Sequence, residues 1–164
     1  MFPEDIQALA EAVIGAATAR GVTVATAESC TGGLVAAALT AVPGSSAVVD
    51  RGFVTYSNAA KTQMLGVPAE LIDQNGAVSE PVARAMAAGA RDRAGVDLAV
   101  SITGIAGPGG GSTDKPVGLV HFGCASPEGV VHGVHRFGDL GRDAVRLESV
   151  RVALKMLLDA AGAA

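Results

Sequence analysis

Apolar positions along the chain change their period several times, and each change marks an element. Ile6, Leu9, Ala10, Val13, Ile14 and Ala17 recur at the spacing of one helix face, with Pro3 and two acids at the start and Gly21 after the end. Val22 to Ala25 reads as a short buried strand, and Thr31 to Thr40 as the helix that follows, ended by Pro43-Gly44-Ser45-Ser46. Ala47 to Thr55, carrying Val48, Val49, Phe53 and Val54, predicts a second strand. Ser57 or Asn58 is placed to cap a short helix that Gly66-Val67-Pro68 breaks, and Pro68 to Asp73 predicts a further turn. Ser79-Glu80-Pro81 opens a helix to about Ala94, with Val82, Met86 and Ala90 facing inward. Asp97 to Thr103 is nearly continuous apolar sequence, as expected of a strand buried on both faces. Val117 to Cys124 and Val130 to Phe137 read as a hairpin around Ser126-Pro127-Glu128-Gly129. Arg142 to about Ala160 predicts a last helix, with fraying expected at the Ala-rich end.

The resulting order, αβαβααβββα, predicts a three-layer α/β/α sandwich with a mixed, mostly parallel sheet of about five strands, because helical crossovers separate the first strands and a hairpin joins the last. The 164 residues are expected to form a single domain, 1–164. Composition sharpens this picture: 49% of residues are apolar, only 3% are aromatic and 22 are glycine, so the core must be built from small side chains under closely approaching backbones. In such folds ligands gather beyond the carboxyl ends of the parallel strands. Three loops are expected to share that edge: Glu28 to Gly33, Tyr56 to Lys61 and Gly104 to Lys115.

Charge and cysteine content narrow the function. Twelve basic against sixteen acidic residues give a net charge of −4, and the absence of basic runs interleaved with aromatics argues against nucleic-acid binding. No apolar run approaches the ~20 residues of a membrane span, and the start of the chain lacks a basic leader, so a cytoplasmic protein is expected. Cys30 and Cys124 suit neither a disulfide framework nor a metal site, and two reduced thiols, no metal and no cofactor are expected. A small apolar domain of this kind is expected to self-associate as a dimer or higher homo-oligomer.

Candidate chemistry begins at Thr26-Ala27-Glu28-Ser29-Cys30-Thr31-Gly32-Gly33, a strand-to-helix turn. The first amides of the helix lack intrahelical partners there and favour an anion or a developing oxyanion. Ser29 and Cys30 are both candidate nucleophiles, and an N-cap role for Ser29 or Thr31 is the alternative. The run Gly104 to Pro116 is far richer in glycine than a connector needs; it matches no phosphate-loop pattern and reads either as a ligand cradle or as a flexible linker. Arg142 and Arg146 lie one turn apart at the start of the last helix, where positive charge opposes the helix dipole. Two explanations stand: pairing with Asp139 and Asp143, or a phosphate that planar guanidinium groups suit. His121, His132 and His135 fall in the hairpin strands and read as structural or solvent-facing.

Five segments in order and spacing resemble the CinA C-terminal domain family: Thr-Ala-Glu-Ser-Cys-Thr-Gly-Gly, Tyr-Ser-Asn-Ala-Ala-Lys, Gly-Ala-Val-Ser-Glu, Thr-Gly-Ile-Ala-Gly-Pro-Gly-Gly-Gly and Lys-Pro-Val-Gly. The resemblance runs over nearly the whole chain, which is expected to be freestanding, without the larger N-terminal domain of many family members. The resemblance implies hydrolysis of the carboxamide of nicotinamide mononucleotide to nicotinate mononucleotide and ammonia by a serine and lysine mechanism. It implies Ser29 as nucleophile, Lys61 as base and Tyr56 as a hydroxyl that positions or relays the proton. The substrate-binding set expected around them is Glu28, Cys30, Thr31, Gly32, Thr103, Gly104, Ala106, Gly107, Arg142 and Arg146. A non-catalytic nucleotide-binding or regulatory module of the same fold is the alternative; it would use the glycine loop and the arginines but would have no use for an activated serine.

Overall fold

The computed structural model describes residues 1–163. Its elements are α1 (Glu4–Arg20), β1 (Val24–Glu28), α2 (Leu34–Thr40), β2 (Val49–Val54), α3 (Asn58–Leu65), α4 (Ala69–Asn75), α5 (Glu80–Ala94), β3 (Leu98–Gly104), β4 (Leu119–Ser126), β5 (Gly129–Arg136) and α6 (Arg142–Ala163). The strands form one sheet in the order β2-β1-β3-β4-β5. β1 runs parallel to both β2 and β3, whereas β4 is antiparallel to β3 and β5. The expected mixed sheet of five strands, covered by helices on both faces, is what forms.

Strand alternation explains why one face is packed with large side chains and the other with small ones. Leu98, Val100 and Ile102 of β3, with Val120, Phe122 and Cys124 of β4, meet α1, α2 and α6 through Ile6, Val13, Leu39, Leu154 and Leu157. Each such fully buried side chain contributes about 1.5–3 kcal/mol. On the other face Ala25, Ala27 and Ala99 admit α5 closely, with Val82, Met86 and Ala90 against them. The approach is backbone to backbone: a Cβ placed on Gly123 would lie 2.7 Å from the Ala83 carbonyl oxygen, and Ser101 Oγ donates to that same oxygen at 2.6 Å. This is the structural use of the small-residue composition.

Several boundaries differ from the sequence expectation. β1 continues to Glu28, so the strand itself carries the first part of the Thr26–Gly33 motif. α2 starts at Leu34 instead of Thr31, because Gly32 and Gly33 take φ of 59° and 102° and turn the chain before the helix can begin. Residues Ser45–Ala47 form a short 3-10 turn that delays β2 to Val49. The turn expected after Pro68 is a seven-residue helix, α4. α6 continues to Ala163, past its expected end near Ala160, and Ala164 lies outside the described residues.

Because β1, β2 and β3 are parallel, their carboxyl ends deliver Ser29, Tyr56 and Gly104 to one edge of the sheet. Among the described residues no helix is long and apolar enough to cross a membrane.

Candidate active site

Ser29 leaves β1 still tied to the sheet. Its N–H donates to the Ile102 carbonyl at 2.9 Å, and its own carbonyl accepts from Gly32 N at 3.0 Å, which closes the turn. The amides at the start of α2 are not free for a ligand, contrary to the sequence expectation. The buried Glu28 carboxylate fills that position: Oε2 accepts from Thr31 Oγ1 at 2.6 Å, Gly33 N at 3.1 Å and Val35 N at 3.0 Å, and Oε1 from Ala36 N at 2.9 Å. An internal anion thus answers the helix dipole. Side-chain alternation along β1 puts Glu28 on the α2 face, away from the cleft.

Lys61 comes to the same place from α3. Ser57 caps that helix, its Oγ accepting from Ala60 N at 3.0 Å, and so fixes the first turn that carries the lysine. Only 1% of Lys61 is exposed. Its Nζ donates to the Thr55 carbonyl at 3.0 Å and lies 3.1 Å from Ser29 Oγ. Burial lowers the pKa of this amine below its ordinary value of 10.5, because the cation has lost its water. A neutral Lys61 has two N–H donors and one lone pair, so it can hold Thr55 while accepting the serine proton. No acidic side chain pairs with it among the described residues. Cys30, the rival nucleophile, has its thiol pushed up to about 12 by burial first and by the Glu28 carboxylate among lesser causes. It is therefore a thiol and not a thiolate near neutrality.

Ser29 opens onto a cleft of about 250 Å³ lined by Cys30, Tyr56, Arg142 and the glycine loop from Gly104 to Gly110. Tyr56 stands on the rim with 61% of its surface exposed. Arg142 spans the cleft mouth, donating to the Gly107 carbonyl at 2.9 Å and to the Tyr56 hydroxyl at 2.8 Å. A larger cavity, about 570 Å³, lies at the opposite end of the sheet. Its walls include Leu98, Cys124, Val131 and Met156, and its hydroxyl, that of Ser126, is bonded to the exposed Glu128 carboxylate of the hairpin turn at 2.9 Å, whereas the smaller cleft has a serine beside a buried amine.

The structure therefore brings together Ser29, Lys61, Tyr56, Cys30, Gly104, Ala106, Gly107 and Arg142 of the expected set, and turns the others elsewhere. Glu28 and Thr31 are fully buried and bonded to each other. Thr103 donates its hydroxyl to the Ala77 carbonyl at 2.8 Å, on the α5 side of the sheet. Gly32 is exposed and lies against Arg146, which is aimed at the carbonyls of Cys30 (3.1 Å) and Thr31 (3.3 Å). Neither Arg142 nor Arg146 forms an ion pair with Asp139 or Asp143 among the described residues. Two participants lie outside the expected set of site residues. Ile105 lines the cleft because it follows β3, and Thr55 holds Lys61 through its carbonyl, a backbone role with no side-chain signature. The Thr55 hydroxyl itself is buried without a partner among the described residues.

The histidines stay outside this group. His121 Nδ1 and His132 Nε2 are 2.9 Å apart, and His135 stacks on Phe137. Among the described residues no cluster of three or more His, Cys, Asp or Glu side chains is placed to hold a metal ion.

Comparison with known proteins supplies the wider setting. The sequence model of the CinA C-terminal domain matches residues 6–161. A CinA-like protein of Parasynechococcus marenigrum is 54% identical over 150 residues, which are 91% of this chain and 36% of that protein. The chain thus spans little more than a third of the length of the first CinA-like relatives it matches. The nicotinamide-nucleotide amidohydrolase PncC of Escherichia coli is 54% identical over 159 residues, 96% of this chain and 95% of its own. Among solved structures, the competence/damage inducible protein CihA of Agrobacterium tumefaciens superposes with a TM-score of 0.95 at 56% identity, over 97% of each chain. A CinA superfamily protein of Klebsiella pneumoniae does so with a TM-score of 0.91 at 38% identity, over 97% of this chain and 99% of its own.

Proposed function

Because the chain belongs to the CinA C-terminal domain family, we propose that it hydrolyses the carboxamide of nicotinamide mononucleotide to nicotinate mononucleotide and ammonia, with Ser29 as nucleophile and Lys61 as base. The observation that carries this reading is the buried Lys61 Nζ at 3.1 Å from Ser29 Oγ, an amine deprived of its water beside a hydroxyl that opens onto a cleft.

Neutral Lys61 takes the proton as Ser29 Oγ attacks the carboxamide carbon. The tetrahedral intermediate collapses when the resulting ammonium returns a proton to the leaving nitrogen, which departs as ammonia. A water molecule then adds to the acyl-serine ester, with Lys61 again accepting the proton, and the carboxylate leaves with Ser29 restored. Throughout, the Thr55 carbonyl holds Nζ in line. Tyr56 sets the outer wall, and its hydroxyl is kept in place by Arg142. Arg142 is the cation proposed to meet the substrate phosphate, since it is exposed at the mouth and already bonded to the glycine loop.

Incubating the protein with nicotinamide mononucleotide while ammonia is measured tests the reading. Stoichiometric ammonia and nicotinate mononucleotide are expected. Saturable binding of the mononucleotide with no ammonia released would instead identify a nucleotide-binding module.

A further inference from the structure

Five residues, 29–33, decide where the serine hydroxyl points, and within them one backbone hydrogen bond, from Gly32 N to the Ser29 carbonyl at 3.0 Å, closes the turn. Two of them are glycines at left-handed φ, the residue type that restrains the backbone least. α2 begins on Gly33, which offers no side-chain cap. Two charged side chains from elsewhere supply what is missing. On one side the fully buried Glu28 carboxylate receives four donors: the Thr31 hydroxyl and the amides of Gly33, Val35 and Ala36. On the other, Arg146 reaches in from α6, 116 residues from Cys30 in sequence, and spreads its fork over two successive carbonyls, those of Cys30 and Thr31. Arg146 Nη2 lies 3.4 Å, ordinary contact distance, from where a Gly32 Cβ would stand, so the guanidinium packs directly on the turn. Neither side chain lines the cleft, and no ion pair joins them to each other or to another residue described. Carboxylate on amides and guanidinium on carbonyls grip the backbone of one turn in complementary senses.

We propose that Glu28 and Arg146 are positioning residues for the nucleophile, holding the turn that aims Ser29 at the substrate carbonyl; this rests on the assignment of Ser29 as nucleophile made above. The two arginines of α6 then have separate roles. Arg142 faces the ligand, and Arg146 acts through the backbone of Cys30 and Thr31.

The consequence is a split in the kinetic constants. Displacing a nucleophile by about 1 Å costs on the order of 100-fold in rate, while groups that contact the substrate are untouched. Glu28→Gln keeps shape but places an amide donor against backbone donors. Arg146→Lys keeps charge but replaces the two-pronged fork by a single point. Both variants, with Arg146→Ala and Ser29→Ala, are assayed on nicotinamide mononucleotide alongside thermal unfolding. In variants that unfold cooperatively near the wild-type temperature, kcat should fall roughly 10- to 100-fold for Glu28→Gln and Arg146→Ala, with KM within about threefold. Arg146→Lys should recover part of the loss. A raised KM with kcat preserved would return these side chains to direct substrate binding and overturn the proposal, as would wild-type kinetics. Failure of all the Glu28 and Arg146 variants to fold would assign the pair to the scaffold alone and overturn it equally. Turnover by Ser29→Ala would instead remove the underlying assignment of the nucleophile, so the two failures are distinguishable.

Discussion

Lys61 Nζ stands 3.1 Å from Ser29 Oγ with the Thr55 carbonyl at 3.0 Å, although 32 residues separate lysine from serine. An amine in this position works as a base only when neutral, and burial shifts it that way by lowering its pKa below 10.5. kcat/KM should therefore rise with pH along a limb whose midpoint lies below 10.5, as a pH–rate profile will measure. Lys61→Arg should be nearly inactive, since a guanidinium does not give up its proton.

The same shift has a thermodynamic counterpart. Between the lowered folded value and 10.5 the unfolded chain binds the Lys61 proton and the folded chain does not, so stability gains with rising pH across that window. Denaturant unfolding of Lys61→Met should lack this rise. Cys30 and Cys124, both pushed from 9.0 up to about 12, act in the opposite sense above pH 9 but are common to the two proteins, so the difference between Lys61→Met and the wild type isolates the lysine.

Cys30 sits beside Ser29, the proposed nucleophile, as a buried neighbour. With burial pushing its pKa up to about 12, this residue stays a protonated thiol at pH 8. Cys30→Ala should keep most of the activity, and the folded protein should resist iodoacetamide at this residue until denatured. Rapid alkylation of Cys30 with concurrent loss of turnover would contradict the assignment.

Variants of Arg142 test whether phosphate recognition is separate from chemistry. Arg142→Ala should raise KM for the mononucleotide by the ~1.5–3 kcal/mol of a charge-assisted hydrogen bond. The dephosphorylated riboside should be a poor substrate for the wild type, and the variant should lose little more on it. Equal losses on both would show that Arg142 serves only to hold Tyr56 and Gly107.

Two helical glycines test the packing of the helices. Gly89 has the Leu65 carbonyl oxygen only 1.9 Å from where a Cβ would be, so Gly89→Ala must separate α5 from the end of α3, at a cost of about 1–3 kcal/mol or more. Gly15 in α1 is exposed with nothing within 4 Å, and Gly15→Ala should stabilise by roughly 0.5–1 kcal/mol. Thermal unfolding of the two variants should move in opposite directions.

What the sequence reveals and what it hides follow from the range of the interactions involved. The periods of Ile6 to Ala17 and of Leu98 to Ile102 place helix and strand because each is a local pattern facing one core. The strand-to-helix turn at Ser29 is legible too, but a strand ended at Ala25 gives no hint of what occupies the α2 N-terminus. Only with β1 extended to Glu28 do Thr26 and Glu28 fall on one face, toward α2. Thr103 departs from its expected place for a related reason: its hydroxyl lies on the α5 side, on Ala77. The role of Arg146 depends on backbone carbonyls 115 and 116 residues away, which carry no side-chain identity for a sequence to display. Helical spacing puts Arg142 and Arg146 on one face, yet four residues of rise suffice to send one to the cleft rim and the other behind the turn.

Cleavage of the nicotinamide mononucleotide carboxamide by Ser29, activated by Lys61, is tested most directly by one comparison. The rate of nicotinate mononucleotide formation is measured for Ser29→Ala and the wild type under saturating substrate, with binding of the mononucleotide followed calorimetrically on both. Product is expected from the wild type and none detectable from Ser29→Ala, with similar affinity for the two proteins. Substantial turnover by Ser29→Ala, or no product from a wild type that binds the mononucleotide, would contradict the proposed mechanism.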